Sequence, residues 1–417
     1  MRNSIFWMTA AMVLLGLLVG CSTQGSLEEN SALSEDELKT RAGELARGML
    51  VIDTHVDIPY RLNDEYEDIS QRTEGGHFDY PRAKEGGLDA PFMSIYIPAT
   101  YQDEGGAKEF ADELIDMVEG FEEKWPDKYE VARSPDDVER IFKEGKIALP
   151  MGMENGAPIE GDMENLHHFK ERGIRYITLT HSRVNHISDS SYDLNRKWKG
   201  LSDFGKKVVE EMNRIGVMVD VSHISDDAFH QVMEISKAPV IASHSSCRHF
   251  TPDWERNMGD DMIKKLAENG GVIQINFGSA FLRGEFLQAS RKREMAFNNY
   301  LEENELERDD PKAVEWIAQY DEREGIPKTH VTDVADHIDH VRDLVGIDHI
   351  GLGSDFDGVS SLPVGLEDVS ELPNLFAELL KRGYSEDDLR KIASENTLRV
   401  WREVERVAAE MQSSETQ

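Results

Sequence analysis

The sequence predicts a closed parallel (β/α)8 barrel of the TIM type, and three observations carry that prediction. Short β-branched or apolar runs alternate with longer amphipathic stretches along most of the chain. Each run is apolar throughout, as strands wrapped by helices on a parallel sheet must be. Ionisable residues sit where these runs end, and a parallel barrel gathers all strand C-termini on one face. An open doubly wound sheet satisfies the first two observations as well, and periodicity alone does not separate the two.

The N-terminus lies outside this pattern. Met1-Arg2-Asn3-Ser4 precedes an apolar run from Ile5 to Val19 that stops at Gly20-Cys21, the shape of a secretory signal rather than a comfortable membrane span. Leu18-Val19-Gly20-Cys21 resembles a bacterial lipobox, so residues 1–20 are expected to be a lipoprotein-type signal peptide and Cys21 the lipidated residue. An uncleaved anchor helix is the alternative. Residues 21–33 are small, polar and acidic and read as a flexible tether to a single domain over 34–412. The expected location is exported and anchored to a bacterial cell membrane, on its periplasmic or extracellular face.

Strands are expected at 49–57, 92–98, 147–154, 174–181, 216–223, 239–244, 271–277 and 349–355. Helix starts lie between them: Ser134-Pro135 before DDVERIF, Ser225-Asp226-Asp227 before AFHQVMEIS, and Thr332-Asp333 before VADHIDHVRDLV. Residues 282–330 are too long and too charged for an ordinary connection and read as a helical insertion after the seventh strand, a lid or an oligomer contact. From Pro373 to Glu410 two or three amphipathic helices are expected to close the outer layer.

Composition narrows the function. Of 417 residues 39% are hydrophobic, enough for a large core. Asp and Glu number 81 against 46 Lys and Arg, a net charge of -35, so phosphate backbones are repelled and nucleic acid is not an expected partner. Beyond Cys21 only Cys247 remains, which leaves no internal disulfide for the mature monomer. No G-x-S-x-G elbow is present, and Gly351-Leu352-Gly353 lacks the third glycine of a dinucleotide site.

The chemistry is expected at the strand ends. His55 and Asp57 close the first predicted strand, Glu154 the third, His181 the fourth, His223 the fifth, His244 the sixth and Asp355 the eighth. His55 and Asp57 are two apart, so their side chains share one side of the strand. Imidazoles and carboxylates gathered in an apolar barrel mouth are costly to bury without a cation. Nitrogen and oxygen donors without thiolate suit zinc, with manganese or cobalt as alternatives. Five ligands exceed one tetrahedral ion, and Glu154, between the two pairs in the chain, is the natural bridge between two.

The motifs VIDTHVD, GMENG, LTHS, VDVSH, ASHSS and GSDFDG resemble, in order and spacing, those of the membrane dipeptidase (renal dipeptidase) family of zinc peptidases. The similarity runs from about residue 48 to 405; Thr54 and Val56 replace the Gly and Asn common in that family, and neither is a ligand. The resemblance implies a barrel of the metal-dependent hydrolase type and two Zn2+ per subunit, one on His55 and Asp57, the other on His223 and His244, bridged by Glu154. It implies hydrolysis of dipeptides by a metal-bridging hydroxide, tolerance of a C-terminal D-residue, and a homodimer. His181 falls on the family's histidine that contacts substrate and oxyanion, and Asp355 on its acid/base residue. Arg256 falls on the arginine that binds the substrate carboxylate, with Arg248 a competing candidate. Asp357 reads as structural. His167, His168, His186, His230, His249, His337 and His340 read as surface or capping residues, and Cys247 has no partner as a nucleophile. A related binuclear amidohydrolase acting on lactams, cyclic amides or N-acyl amino acids is the alternative function; a non-enzymatic binding module predicts missing ligands, and none is missing.

Overall fold

The structure, a computed structural model, describes residues 34–415; the expected signal peptide, Cys21 and the tether lie outside them. Strand β1 (Ile52–Val56), β2 (Ala90–Tyr96), β5 (Met151–Glu154), β6 (Ile174–Thr178), β7 (Met218–Asp220), β8 (Ile241–Ser245), β9 (Val272–Ile275) and β10 (Ile350–Leu352) form one parallel sheet in that order. All but the last residue of β2 are buried along these strands, so both faces of the sheet are covered. The sheet closes just beyond β10, where Val56 bridges Phe356. Asp57 N donates to Phe356 O at 2.9 Å and Asp355 N to His55 O at 3.1 Å. The expected (β/α)8 barrel is therefore the observed one.

The strands are shorter than the sequence suggests, and the third is divided. Pro150 offers no N–H, and the run 147–154 breaks on it. Its first part, β4 (Ile147–Ala148), pairs instead with a small strand β3 (Tyr129–Glu130) that the sequence pattern did not reveal. Pro150 still contributes its carbonyl, which accepts Met93 N at 2.8 Å.

Helices start largely where their caps place them. Ser134 accepts from Asp137 N ahead of the helix Pro135–Lys143, and Ser225 from Ala228 N ahead of Asp226–Ile235. The helix expected to open at Thr332-Asp333 begins earlier, spanning Val331–Val345, because the Asp333 carboxylate reaches back to accept His330 N at 2.8 Å.

The ends of the barrel differ. At the N-terminal end the last helix, Asn396–Glu415, lays Trp401 against Phe92 at 5.4 Å between ring centres, and both side chains are fully buried. This helix and Leu372–Lys381 are the expected C-terminal layer. At the C-terminal end the insertion after β9 is a hairpin of helices Gly284–Asn304 and Pro311–Glu324. Trp316 packs between Phe297 and Tyr320, and Arg293 pairs with Asp321 at 2.8 Å. The hairpin meets the rim through Leu287, which clusters with Trp254 and Phe281. Among the described residues no helix is long and apolar enough to cross a membrane.

Candidate active site

The seven ionisable residues picked out in the sequence meet at the C-terminal mouth. His55 and His244 lie within β1 and β8, Glu154 ends β5, and Asp57 follows β1 by one residue. His181, His223 and Asp355 do not close their strands as expected; each lies three residues past the last residue of β6, β7 or β10. The reason is local for two of them. His223 at φ 69° and Asp355 at φ 66° adopt left-handed backbone, so the regular ladder gives way to a turn around them, although Asp355 N still donates to His55 O. Such conformations cost on the order of 1–3 kcal/mol each and persist where the surroundings enforce them.

Glu154 is at the centre and presents its two oxygens to different histidines. Oε2 lies 3.5 Å from His55 Nε2. Oε1 lies 3.1 Å from His223 Nε2, 3.3 Å from His244 Nε2 and 3.5 Å from His181 Nε2. Asp57 Oδ2 stands 3.4 Å from His55 Nε2, and ligand atoms of His55, Asp57 and Asp355 fall within 4.8 Å of one another. The rings crowd together: His55 stacks on His244 with ring centres 3.7 Å apart, and His181 lies tilted against His223 at 4.3 Å.

Electrostatics follow from that crowding. Burial pushes Glu154 up, but the imidazoles around it outweigh burial and hold it well below the usual carboxylate range. Burial, with Arg256 and the neighbouring histidines, keeps His223 and His244 neutral well below the usual imidazole range. Burial acts the same way on His55, yet Tyr176, Asp57 and Glu154 overcome it and raise His55, so this position attracts positive charge. Asp355 is pushed up to about 7, first by burial and then by the Asp57 carboxylate, while Asn276 Nδ2 donates to its Oδ2 at 2.7 Å.

The donors fit divalent cations. His55 Nε2 and Asp57 Oδ1 are buried with no hydrogen-bond partner among the described residues, a cost that a shared ion removes. His223 Nε2 and His244 Nε2 approach to 2.8 Å over Glu154 Oε1. Gly358 backs the same space: a Cβ there would lie 2.2 Å from Asp57 Oδ2 and 2.4 Å from Asp355 Oδ1. A cavity of about 430 Å³ opens over these groups, walled by Tyr60, Tyr96, Tyr192, Phe281 and Val359. None of the five was singled out in the sequence, since they come from a strand, two short helices and two loops that only the fold brings together.

The two arginines separate cleanly. Arg248 is engaged bidentately by Asp226 at 2.6 and 2.7 Å. Among the described residues buried Arg256 has no carboxylate partner and its Nε is unpaired; it donates to Ser245 Oγ and His244 O, both at 2.8 Å. The Phe281 ring covers its guanidinium at 5.0 Å, so Phe281 rather than Arg256 lines the cavity. Asp357 is structural, as expected: it accepts Arg61 Nε at 3.0 Å and His77 N at 2.5 Å.

The remaining histidines lie outside the mouth, with one correction. His337 is neither surface nor cap but fully buried, accepting Cys247 N through Nδ1 at 3.0 Å and meeting Leu282 O through Nε2 at 3.1 Å. His249 and His340, near Asp260, form a further group of possible ligands. This group lies away from the mouth, with His249 exposed and His340 Nε2 already 2.8 Å from Asp260 Oδ1. Cys247 is buried and its thiol is pushed up by burial, which suits no nucleophile.

Known proteins agree with this geometry. The family described as membrane dipeptidase (peptidase family M19) matches residues 39–415. The chain is 34% identical to dipeptidase tcpJ of Claviceps purpurea over 96% of its own length and 87% of that protein's. The probable dipeptidase PvdM of Pseudomonas aeruginosa superposes with a TM-score of 0.75 at 29% identity, covering 89% of this chain and all of that one. A metallopeptidase from Rhodobacter sphaeroides, bound to a phosphinate mimic of L-Ala-D-Ala, superposes with a TM-score of 0.70 at 26% identity over 85% and 99% of the two chains.

Proposed function

The chain belongs to the membrane dipeptidase family of metallopeptidases and is a peptide-bond hydrolase, and from that premise we propose that it cleaves dipeptides with a free C-terminal carboxylate at a two-zinc centre. The observation that carries the proposal is the division of Glu154, with Oε2 toward His55 and Oε1 toward His223 and His244. In this reading His55 and Asp57 would hold one ion, His223 and His244 the other, with Glu154 shared between them. Ions so held would supply a water nucleophile near neutral pH and polarise the scissile carbonyl.

The chain's own groups do the rest. Asn276 occupies Asp355 Oδ2, so Oδ1 is free to take a proton from the attacking water and return it to the leaving amine. Burial and the Asp57 carboxylate favour the protonated form of Asp355, which suits a group that must carry a proton between the two halves of that transfer. His181, kept neutral by burial, offers a ring N–H to the oxygen on which charge develops. Arg256, with no carboxylate partner among the described residues, would meet the substrate carboxylate once the Phe281 ring over its guanidinium moves aside. The cavity is at the small end of ligand sites, which favours dipeptides over longer chains. The mimic bound to the Rhodobacter sphaeroides relative supports extending the substrates to a C-terminal D-residue.

The test is turnover of an L,L and L,D dipeptide panel with metal analysis of the same protein. Arg256→Met should lower kcat/KM for dipeptides at least ~10²-fold, since each hydrogen bond to a charged group is worth about 1.5–3 kcal/mol. Amide substrates without a carboxylate should be spared; equal losses on both would remove the assigned role and favour the amidohydrolase alternative. Export with lipidation at Cys21, proposed on the sequence of residues 1–33, is checked by mass spectrometry of the membrane fraction. Homodimerisation, suggested by family resemblance, is checked by light scattering.

A further inference from the structure

The histidines of the site differ in what holds the side of the ring facing away from Glu154. His55 Nδ1 lies 2.8 Å from the Tyr176 hydroxyl, and that hydroxyl donates to Thr54 O at 2.9 Å. A backbone carbonyl can only accept, so the single Tyr176 proton is committed to it and the hydroxyl oxygen is left to accept from His55 Nδ1–H. His244 Nδ1 lies 2.8 Å from Ser243 Oγ, which in turn donates to Asp220 Oδ2 at 2.6 Å. Asp220 also accepts Ser243 N at 2.8 Å, Ser222 N at 3.0 Å and the Thr178 hydroxyl. It is thus an acceptor on every side, the Ser243 proton points to it, and Ser243 Oγ accepts from His244 Nδ1–H. His223 has nothing comparable: its Nδ1 is buried without a partner among the described residues.

We infer that Tyr176 and the Ser243–Asp220 pair are positioning residues that hold His55 and His244 with the ring proton on Nδ1 and the Nε2 lone pair aimed at the metal centre. The fold makes room for this. Tyr176 lies across Gly152 of the adjacent strand, where a Cβ would come within 2.0 Å of its ring. Phe92 packs against the same ring at 5.6 Å. Asp220 is completely buried in β7, an expensive place for a carboxylate unless its hydrogen bonds orient something. The inference rests on the proposed reading of His55 and His244 as ligands.

The experiment uses the full chain loaded with zinc, with Tyr176→Phe, Ser243→Ala and Asp220→Asn. Zinc retention is measured by chelator competition, and the ring protonation of the histidines by 15N NMR of the zinc-loaded protein. Tyr176→Phe and Ser243→Ala should each weaken zinc binding about 10–100-fold and move the 15N shifts of His55 and His244, respectively, away from the Nδ1-protonated pattern. Tyr176→Phe should add no further loss on a His55→Ala background. Both variants remove a single hydroxyl and keep the packing, so they stay informative where Asp220→Asn fails to fold. Folded variants with wild-type zinc affinity and wild-type tautomers overturn the inference while leaving the metal site standing. Wild-type protein that binds no zinc overturns the metal reading itself.

Discussion

Gly358→Ala is the sharpest single test of the site. The new Cβ would stand 2.2 Å from Asp57 Oδ2 and 2.4 Å from Asp355 Oδ1, so either the loop or the carboxylates must retreat by roughly 1 Å to reach ordinary contact. A displacement of that size in a catalytic group costs on the order of 10²-fold in rate, equivalent to about 2.7 kcal/mol of barrier. Overpacking adds about 1–3 kcal/mol of destabilisation, too little to unfold a domain of this size. The expected result is therefore a folded protein whose kcat/KM on a dipeptide falls about 100-fold and whose zinc content drops, because Asp57 is also 3.4 Å from His55 Nε2. Steady-state kinetics, metal analysis and circular dichroism on one preparation read all three. Full activity with full metal content would mean that Asp57 and Asp355 do not need their present positions, and the site as described would be wrong.

Gly120→Ala is the matched control: nothing lies within 4 Å of its added Cβ in the helix Ala107–Lys124, and thermal unfolding should show stabilisation by about 0.5–1 kcal/mol with unchanged kinetics. Asp89 is pushed up to about 7, first by burial and only partly offset by Lys84. The folded state therefore binds a proton that the unfolded state has released, and stability falls as pH rises from about 4 to 7. Asp89→Asn should match wild type near pH 4 and exceed it at pH 8 by up to about 4 kcal/mol, read from melting curves at the two pH values; a uniform loss at both would contradict the assignment. Trp401→Ala empties the sealed end of the barrel and should cost about 3–5 kcal/mol in chemical denaturation while leaving zinc stoichiometry intact. Removing metal with a chelator should lower the melting temperature and abolish turnover, both restored by added zinc, because binding to the folded state alone is stabilising.

Much of this molecule was legible in the sequence because apolar strands and polar strand ends are one-dimensional signals. The barrel, the insertion and the convergence of His55, Asp57, Glu154, His181, His223, His244 and Asp355 all follow from where ionisable side chains interrupt apolar runs. Strand ends were misread where the regular ladder gives way to a turn containing a left-handed residue such as His223 or Asp355, since nothing in composition marks a non-glycine φ near 66–69°. The pairing of Arg248 was illegible because its partner Asp226 lies 22 residues away on another helix. Tyr176 and Asp220 carried a faint signal that went unused: a polar group inside an apolar strand must find partners, and those partners lie on neighbouring strands.

The helical hairpin at 284–324 approaches the catalytic mouth only at second hand, through Leu287 against Trp254 and Phe281, the latter covering Arg256. Every wall of the cavity named above lies outside the hairpin, and the donors of its floor sit in or just past the barrel strands. Changes in the hairpin's length or outer face should therefore leave the donor set where it is.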